Sequence, residues 1–316
     1  MSSIEIEIEI VIEIEGHSAV VIDFDGDFDL DYHNNRITIM TNKSNPSKQA
    51  ESDTPILFCG AGPGDPELIT VKGQHALAEA DLILYAGSLV PEALLQWARP
   101  EAETLSSAGM HLEEIVATMA TAWKSGRRVV RLHTGDPSLY GAICEQMMHL
   151  EKQNIPYRVI PGVTAAFAAA ASLGLEYTLP EVSQTLILTR MAGRTPVPER
   201  EALERLAAHQ ASMAIYLSLG QIEAVSGVLS GSYGADAPAV IVYKASHPEE
   251  KIVPTTCGEL AAAAAREEIT RTALILAGRV LAVGPAGSGE LGAVSKLYDR
   301  HFAHGYRAGE KPGGTD

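Results

Sequence analysis

A chain of 316 residues with 46% hydrophobic residues can bury a sizeable core, and a formal charge of −16 repels phosphate backbones, so no nucleic-acid partner is expected. Aromatic residues make up only 5%, which leaves the packing to Ala, Leu, Val and Ile. Cys59, Cys144 and Cys257 stand far apart with no CxxC or Cys–His spacing, which argues against a disulfide framework or a zinc site and for a reducing, cytoplasmic setting.

The chain opens without the basic flank and apolar run of a signal peptide, and no apolar stretch reaches the ~20 residues of a membrane span, so no membrane association is expected. Residues 1–53 carry twelve Asp or Glu against Arg36, Lys43 and Lys48. Ile4–Glu15 alternates Ile or Val with Glu, the period of a strand with one apolar face. Val20–Leu30 and Arg36–Met40 repeat the pattern across Asp-Gly and Asn-Asn turns, predicting a small antiparallel meander. Asp23, Asp25, Asp27, Asp29 and Asp31 lack the glycine at six and the Glu at twelve of an EF-hand loop, and read as a solvated strand face. Met40 is a second candidate start of translation. Thr41–Thr54, rich in Asn, Ser, Lys and Pro, reads as a linker, and 1–53 as an acidic extension.

From Pro55 apolar strand runs alternate with helical segments. Strands are predicted at Ile56–Cys59, Leu82–Tyr85, Val129–Leu132 and Tyr157–Ile160, and helices near Val71–Glu79, Leu112–Lys124, Tyr140–Gln153 and Ala165–Leu173. These form an N-terminal α/β domain over 54–180. After Pro180 come strands near Thr185–Thr189, Ala214–Ser218, Ala239–Tyr243 and Ala273–Ala277, with helices around Glu199–Ala208, Gln221–Leu229 and Cys257–Arg266. They make a C-terminal α/β domain over 181–283. A basic, aromatic tail occupies 284–316.

Three strand ends carry small-residue loops. Gly60-Ala-Gly62-Pro63-Gly64-Asp65 lacks the dinucleotide-binding pattern: Pro63 withdraws a donor, and Asp81 opens the following strand where a ribose-binding acid would close it. Alone it reads equally well as a tight turn. In Thr134-Gly135-Asp136-Pro137-Ser138-Leu139-Tyr140-Gly141, Gly135 permits close approach to a ligand. Asp136 is suited either to ribose hydroxyls or to capping the next helix. Pro161-Gly162-Val163-Thr164-Ala165-Ala166 leaves space beside backbone donors, or lets its alanine-rich helix pack closely on a sheet. Ligands of open α/β sheets gather outside the carboxyl ends of strands, and three such loops in succession point to one site.

GAGPGD, TGDPSLYG and PGVTAA in this order and spacing resemble the tetrapyrrole methyltransferases, also called class III methyltransferases, over about 54–283. The resemblance implies two α/β domains with S-adenosyl-L-methionine in the cleft between them. It assigns Pro63, Gly135, Asp136, Leu139, Thr164 and Ala165 to the cofactor. Ile215-Tyr216-Leu217-Ser218 is similar to the family's second-domain strand motif and sets Leu217 against adenine, with Ala245, Thr272 and Ala273 as further contacts. Tyr85-Ala86-Gly87-Ser88-Leu89-Val90-Pro91 resembles the branch that methylates precorrin-4 or its cobalt form at ring carbon 11, where uroporphyrinogen enzymes carry an acidic residue. Gly87 and Ser88 are thereby candidate substrate contacts. The family commonly forms homodimers.

A methyl sulfonium is a strong electrophile and an electron-rich ring carbon is its own nucleophile, so no metal is required and no catalytic side chain is named. Arg190, Arg194, Lys244 and Arg271, near strand ends or loops, are candidates for the macrocycle's carboxylates, against the alternative of solvated surface charge. His133 is either a substrate contact or a histidine satisfied at the sheet edge. His301 and His304, spaced HxxH, read as tail packing because nothing downstream completes a ligand set. The rivals are a sister enzyme of the same family and a non-catalytic nucleotide-binding module.

Overall fold

The computed structural model describes residues 54–87, 90–287, 289 and 295–309, all within the unit Ala50–Asp316. The predicted meander, the Asp-rich segment and Ser88 lie outside the described residues. Strands β1 (Ile56–Gly60), β2 (Leu82–Tyr85), β3 (Glu103–Ser106), β4 (Val129–His133) and β5 (Tyr157–Ile160) form a parallel sheet in the order β3-β2-β4-β1-β5. Both faces are covered, which is why its inner strands read as unbroken apolar runs. Ile56, Phe58, Leu82, Leu84 and Val129 pack with Ile115, Met119 and Trp123 of α2 (Leu112–Lys124) and Leu150 of α3 (Ile143–Glu151). The alternate residues Cys59, Ile83, Val130 and Leu132 pack with Ala76 and Leu77 of α1 (Val71–Glu79). Thr70 caps α1 by accepting from the Gly73 N–H at 3.1 Å. Asp81 accepts from the Arg128 N–H at 2.6 Å and pairs with Arg99 at the amino end of β2, at the far edge of the sheet from the loops.

Helix α4 (Ala165–Leu173) leads to a second sheet of β6 (Leu186–Arg190), β7 (Ser212–Tyr216), β8 (Pro238–Tyr243), β9 (Lys251–Thr256) and β10 (Ala273–Ala277). Its order is β6-β7-β10-β8-β9, with β6 and β7 parallel and the other pairs antiparallel. One face meets α5 (Leu203–Ala207), α6 (Ile222–Tyr233) and α7 (Leu260–Arg266). The other receives Ala166, Ala168, Ala169 and Ala170 of α4 against Ala214, Val240, Leu274 and Leu276. The small side chains of α4 therefore serve close helix–sheet packing, on the sheet that follows them in sequence.

The departures from expectation have local causes. β3 and β9 were not predicted: both are edge strands, β3 is largely exposed and β9 contains Pro254, which only an edge tolerates. β7 stops at Tyr216 short of the predicted Ser218 because Leu217 turns left-handed at φ 53°. α3 starts at Ile143 and not at Tyr140, since Tyr140 and Ala142 have φ of 58° and 49°. The helix predicted at Glu199–Ala208 divides into a 3-10 turn, Glu199–Glu201, and α5. Among the described residues no helix is long and apolar enough to cross a membrane.

Candidate active site between the two sheets

The carboxyl ends of β1, β4 and β5 lie side by side, and their loops interlock through backbone. Gly135 donates its N–H to the Gly62 carbonyl at 2.7 Å, and Gly62 donates back at 3.2 Å. Asp136 accepts from the Ser138 N–H at 2.8 Å through one oxygen and from the Gly162 N–H at 2.9 Å through the other. Its carboxylate thus ties the β4 loop to the β5 loop and does not cap the next helix, α3, whose N-cap position is Ala142. A Cβ on Gly162 would lie 2.1 Å from the Gly135 carbonyl oxygen and 2.8 Å from Gly60 Cα. Gly60 and Gly162 are small because backbone meets backbone, while Gly135 is needed for its φ of 60°.

Tyr216 joins these loops from the second sheet. Its hydroxyl lies 2.7 Å from Thr164 Oγ1 and accepts from the Ala166 N–H at 3.0 Å. Asp65 donates its N–H to Ser246 Oγ at 3.0 Å, a second bridge between the halves. Between them opens a cavity of about 1200 Å³. Pro63, Gly135, Asp136, Leu139, Thr164, Ala165, Leu217, Ala245, Thr272 and Ala273 all line it, as do Gly87 and Lys244. Arg190 and Arg194 are not in the lining. The Arg190 guanidinium donates to the carbonyls of Thr195 at 3.1 Å and Pro196 at 2.8 Å, bracing its own loop, and Arg194 is exposed.

Backbone strain gathers around this cavity. Tyr140, Leu217, Lys244 and Thr272 line it with φ of 58°, 53°, 46° and 55°, a region costly for residues with a Cβ. Leu217 is 70% exposed as well, so an apolar side chain is held in a strained turn and turned toward open space. An exposed apolar side chain bordering a cavity marks a surface that a ligand can cover.

Arg131, Tyr140 and Tyr216 also line the cavity, and the motifs assign none of them a role. Arg131 is 4% exposed, its Nε donating to Gln146 Oε1 and its Nη1 to the Leu84 carbonyl, both at 3.1 Å. Burial lowers its pKa to about 10, which leaves it a cation. An arginine inside an apolar strand was the available signal, because buried charge is costly without a use. Lys244, 3.2 Å from Glu249, and Arg271 add two more cations to the lining.

A profile of the Tetrapyrrole (Corrin/Porphyrin) Methylases matches residues 55–261. The chain belongs to this family. Among the tetrapyrrole methylases it is 50% identical to the cobalt-precorrin-4 C(11)-methyltransferase of Methanocaldococcus jannaschii over 83% of this chain and 99% of that one. It is 49% identical to the precorrin-4 C(11)-methyltransferase of Pseudomonas aeruginosa, over 81% and 99%. The X-ray structure of the cobalt precorrin-4 methyltransferase CbiF matches with a TM-score of 0.71 at 48% identity, over 74% of this chain and 98% of that one. The uroporphyrin-III C-methyltransferase of Thermus thermophilus in complex with S-adenosyl homocysteine matches with a TM-score of 0.58 at 27% identity, over 72% and 93%.

Proposed function

We propose that this methylase transfers the methyl group of S-adenosyl-L-methionine to carbon 11 of precorrin-4 or cobalt-precorrin-4, a step of cobalamin biosynthesis. The observation that carries the reading is the cavity between the sheets, whose lining gathers every cofactor position implied by the motifs, in a chain about half identical to C(11)-methyltransferases along nearly their whole length. The lining fits the cofactor: Leu217 offers an apolar platform for adenine, and Thr164 and Ala165 open the first turn of α4. Ala245 and Thr272-Ala273 close the second-sheet side. When bound, S-adenosyl-L-methionine supplies an electrophilic methyl on a sulfonium.

The chain's part is placement. Holding ring carbon and methyl in line converts a bimolecular step into a unimolecular one, worth up to ~7–11 kcal/mol in favourable intramolecular cases. Lys244 and Arg271 suit the macrocycle's carboxylates, and Gly87 offers the ring a lining position without a side chain. Incubation with ¹³C-methyl donor and precorrin-4, followed by ¹³C NMR of the product, should find label at carbon 11 and none on uroporphyrinogen III offered in its place. Label at carbon 2 or 7 of uroporphyrinogen III, or at carbon 17 of a later precursor, would assign the chain to another branch. The same reading makes the enzyme a cytoplasmic homodimer. Sedimentation at micromolar concentration should give twice the 33.6 kDa chain mass, and a monomer would count against it.

A further inference from the structure

His133 ends β4, the central strand, between the β1 and β5 loops on one side and the ends of β2 and β3 on the other. Its imidazole is 4% exposed, stacks on Phe58 with 6.0 Å between centroids, and lines the cavity beside Arg131 and Ser106. Its Nε2 is buried and has no hydrogen-bond partner among the described residues. Leaving a buried polar atom unpaired is destabilising, a penalty that a ligand with the complementary group removes. Burial, reinforced by the Arg131 guanidinium, holds the ring's pKa down at about 3, so it is neutral near pH 7 and carries one lone pair and one N–H.

The methylation proposed above, on which this inference rests, calls for a hydrogen-bond acceptor at the macrocycle. As carbon 11 takes the methyl, the ring's π pair forms the new carbon–carbon bond and the pair of the broken sulfur–methyl bond stays on sulfur. The positive charge passes to a ring nitrogen that still bears its hydrogen, and that proton later leaves to water. During transfer the N–H becomes a stronger donor. Of the groups nearby, Ala86 and Gly87 have no acceptor in their side chains, the Ser106 hydroxyl already accepts from the Ala108 N–H at 3.4 Å, and Glu92 is exposed to solvent.

We infer that His133 accepts this ring N–H through Nε2, a hydrogen bond that strengthens as the methyl is transferred and that favours macrocycles presenting an N–H at that position. The contact acts on the transition state more than on the bound substrate, so it belongs in kcat.

Wild-type enzyme is first tested for label at carbon 11 of precorrin-4; failure there overturns the proposed function and this inference with it. Where wild type succeeds, His133→Phe keeps a ring on Phe58 and loses the lone pair. Its kcat should fall about 100-fold while its affinity for S-adenosyl-homocysteine, read by calorimetry, stays within about twofold. His133→Gln, which retains an acceptor, should recover kcat to within about tenfold of wild type. In wild-type protein labelled with ¹⁵N-histidine, the Nε2 resonance of His133 should move when precorrin-4 is added to the S-adenosyl-homocysteine complex, a readout independent of any variant's folding. An Nε2 resonance indifferent to precorrin-4, or a folded His133→Phe enzyme with wild-type kcat, overturns the inference.

Discussion

Gly162→Ala is expected to lose measurable binding of S-adenosyl-homocysteine and to melt on the order of 10 °C below wild type. The added methyl would sit 2.1 Å from the Gly135 carbonyl oxygen and 2.8 Å from Gly60 Cα. Both neighbours are backbone, so no rotamer change relieves the clash. The β4 and β5 loops must part, and with them goes the Asp136 to Gly162 hydrogen bond of 2.9 Å. Overpacking of this kind costs about 3 kcal/mol, and a domain of this size loses roughly 2–4 °C per kcal/mol. Two controls separate crowding from a general intolerance of change. A Cβ on Gly135 would find its nearest neighbour at 3.7 Å, so Gly135→Ala meets only the φ of 60°, worth about 1–2 kcal/mol. Gly227, inside α6, has nothing within 4 Å of an added Cβ, and Gly227→Ala should stabilise by about 0.5–1 kcal/mol. Calorimetric melting and ligand titration of the three variants give the ranking, and a Gly162→Ala protein with wild-type melting temperature and affinity would refute it.

This ranking could not be drawn from the motifs. In the sequence, Gly60, Gly135 and Gly162 are alike, small residues where strands end, and the natural inference is that each leaves room for a ligand. Two of them leave room for each other. The inner strands of the first sheet, β1, β2 and β4, were legible because a parallel sheet buried on both faces demands unbroken apolar runs such as Val129-Val130 and Leu82-Ile83-Leu84. β3 and β9 were not legible because edge strands need bury little and their residues, Glu103-Thr-Leu-Ser106 and Lys251-Ile-Val-Pro-Thr-Thr256, advertise no buried face. The ten implied cofactor positions do border one cavity, since motif spacing reports where strand ends fall and the parallel order brings those ends together. Among the implied substrate positions the outcome divides, with Lys244 in the lining and Arg190 and Arg194 outside it. Whether an arginine at a strand end faces a cavity or braces its own loop depends on side-chain direction, which proximity in sequence does not encode.

Tyr216→Phe is expected to weaken cofactor binding by about 5–150-fold, through the coupling of the two sheets. Thr164 is the N-cap residue of α4, yet its side chain makes no capping bond to the helix. Its hydroxyl meets the Tyr216 hydroxyl at 2.7 Å, and that hydroxyl accepts the Ala166 N–H at 3.0 Å, one of the orphan donors of the helix's first turn. The cap of α4 is therefore supplied in trans from β7, and the residue that supplies it precedes Leu217, whose left-handed turn presents the apolar platform of the cavity. Removing one oxygen leaves two part-buried polar groups without their partner, a cost of about 1–3 kcal/mol. That is the free energy equivalent of the expected loss in affinity, because the cavity is formed only where the helix and the strand are held together. Thr164→Val should lose part of the same interaction, so the double variant with Tyr216→Phe should be less impaired than the sum of the two by roughly 1 kcal/mol. Hydrogen exchange at the Ala166 amide should quicken in Tyr216→Phe while exchange in the β4 core stays slow. Additive losses in the double variant, or an Ala166 amide protected as in wild type, would show that the hydroxyl contributes to neither the helix cap nor the joining of the sheets.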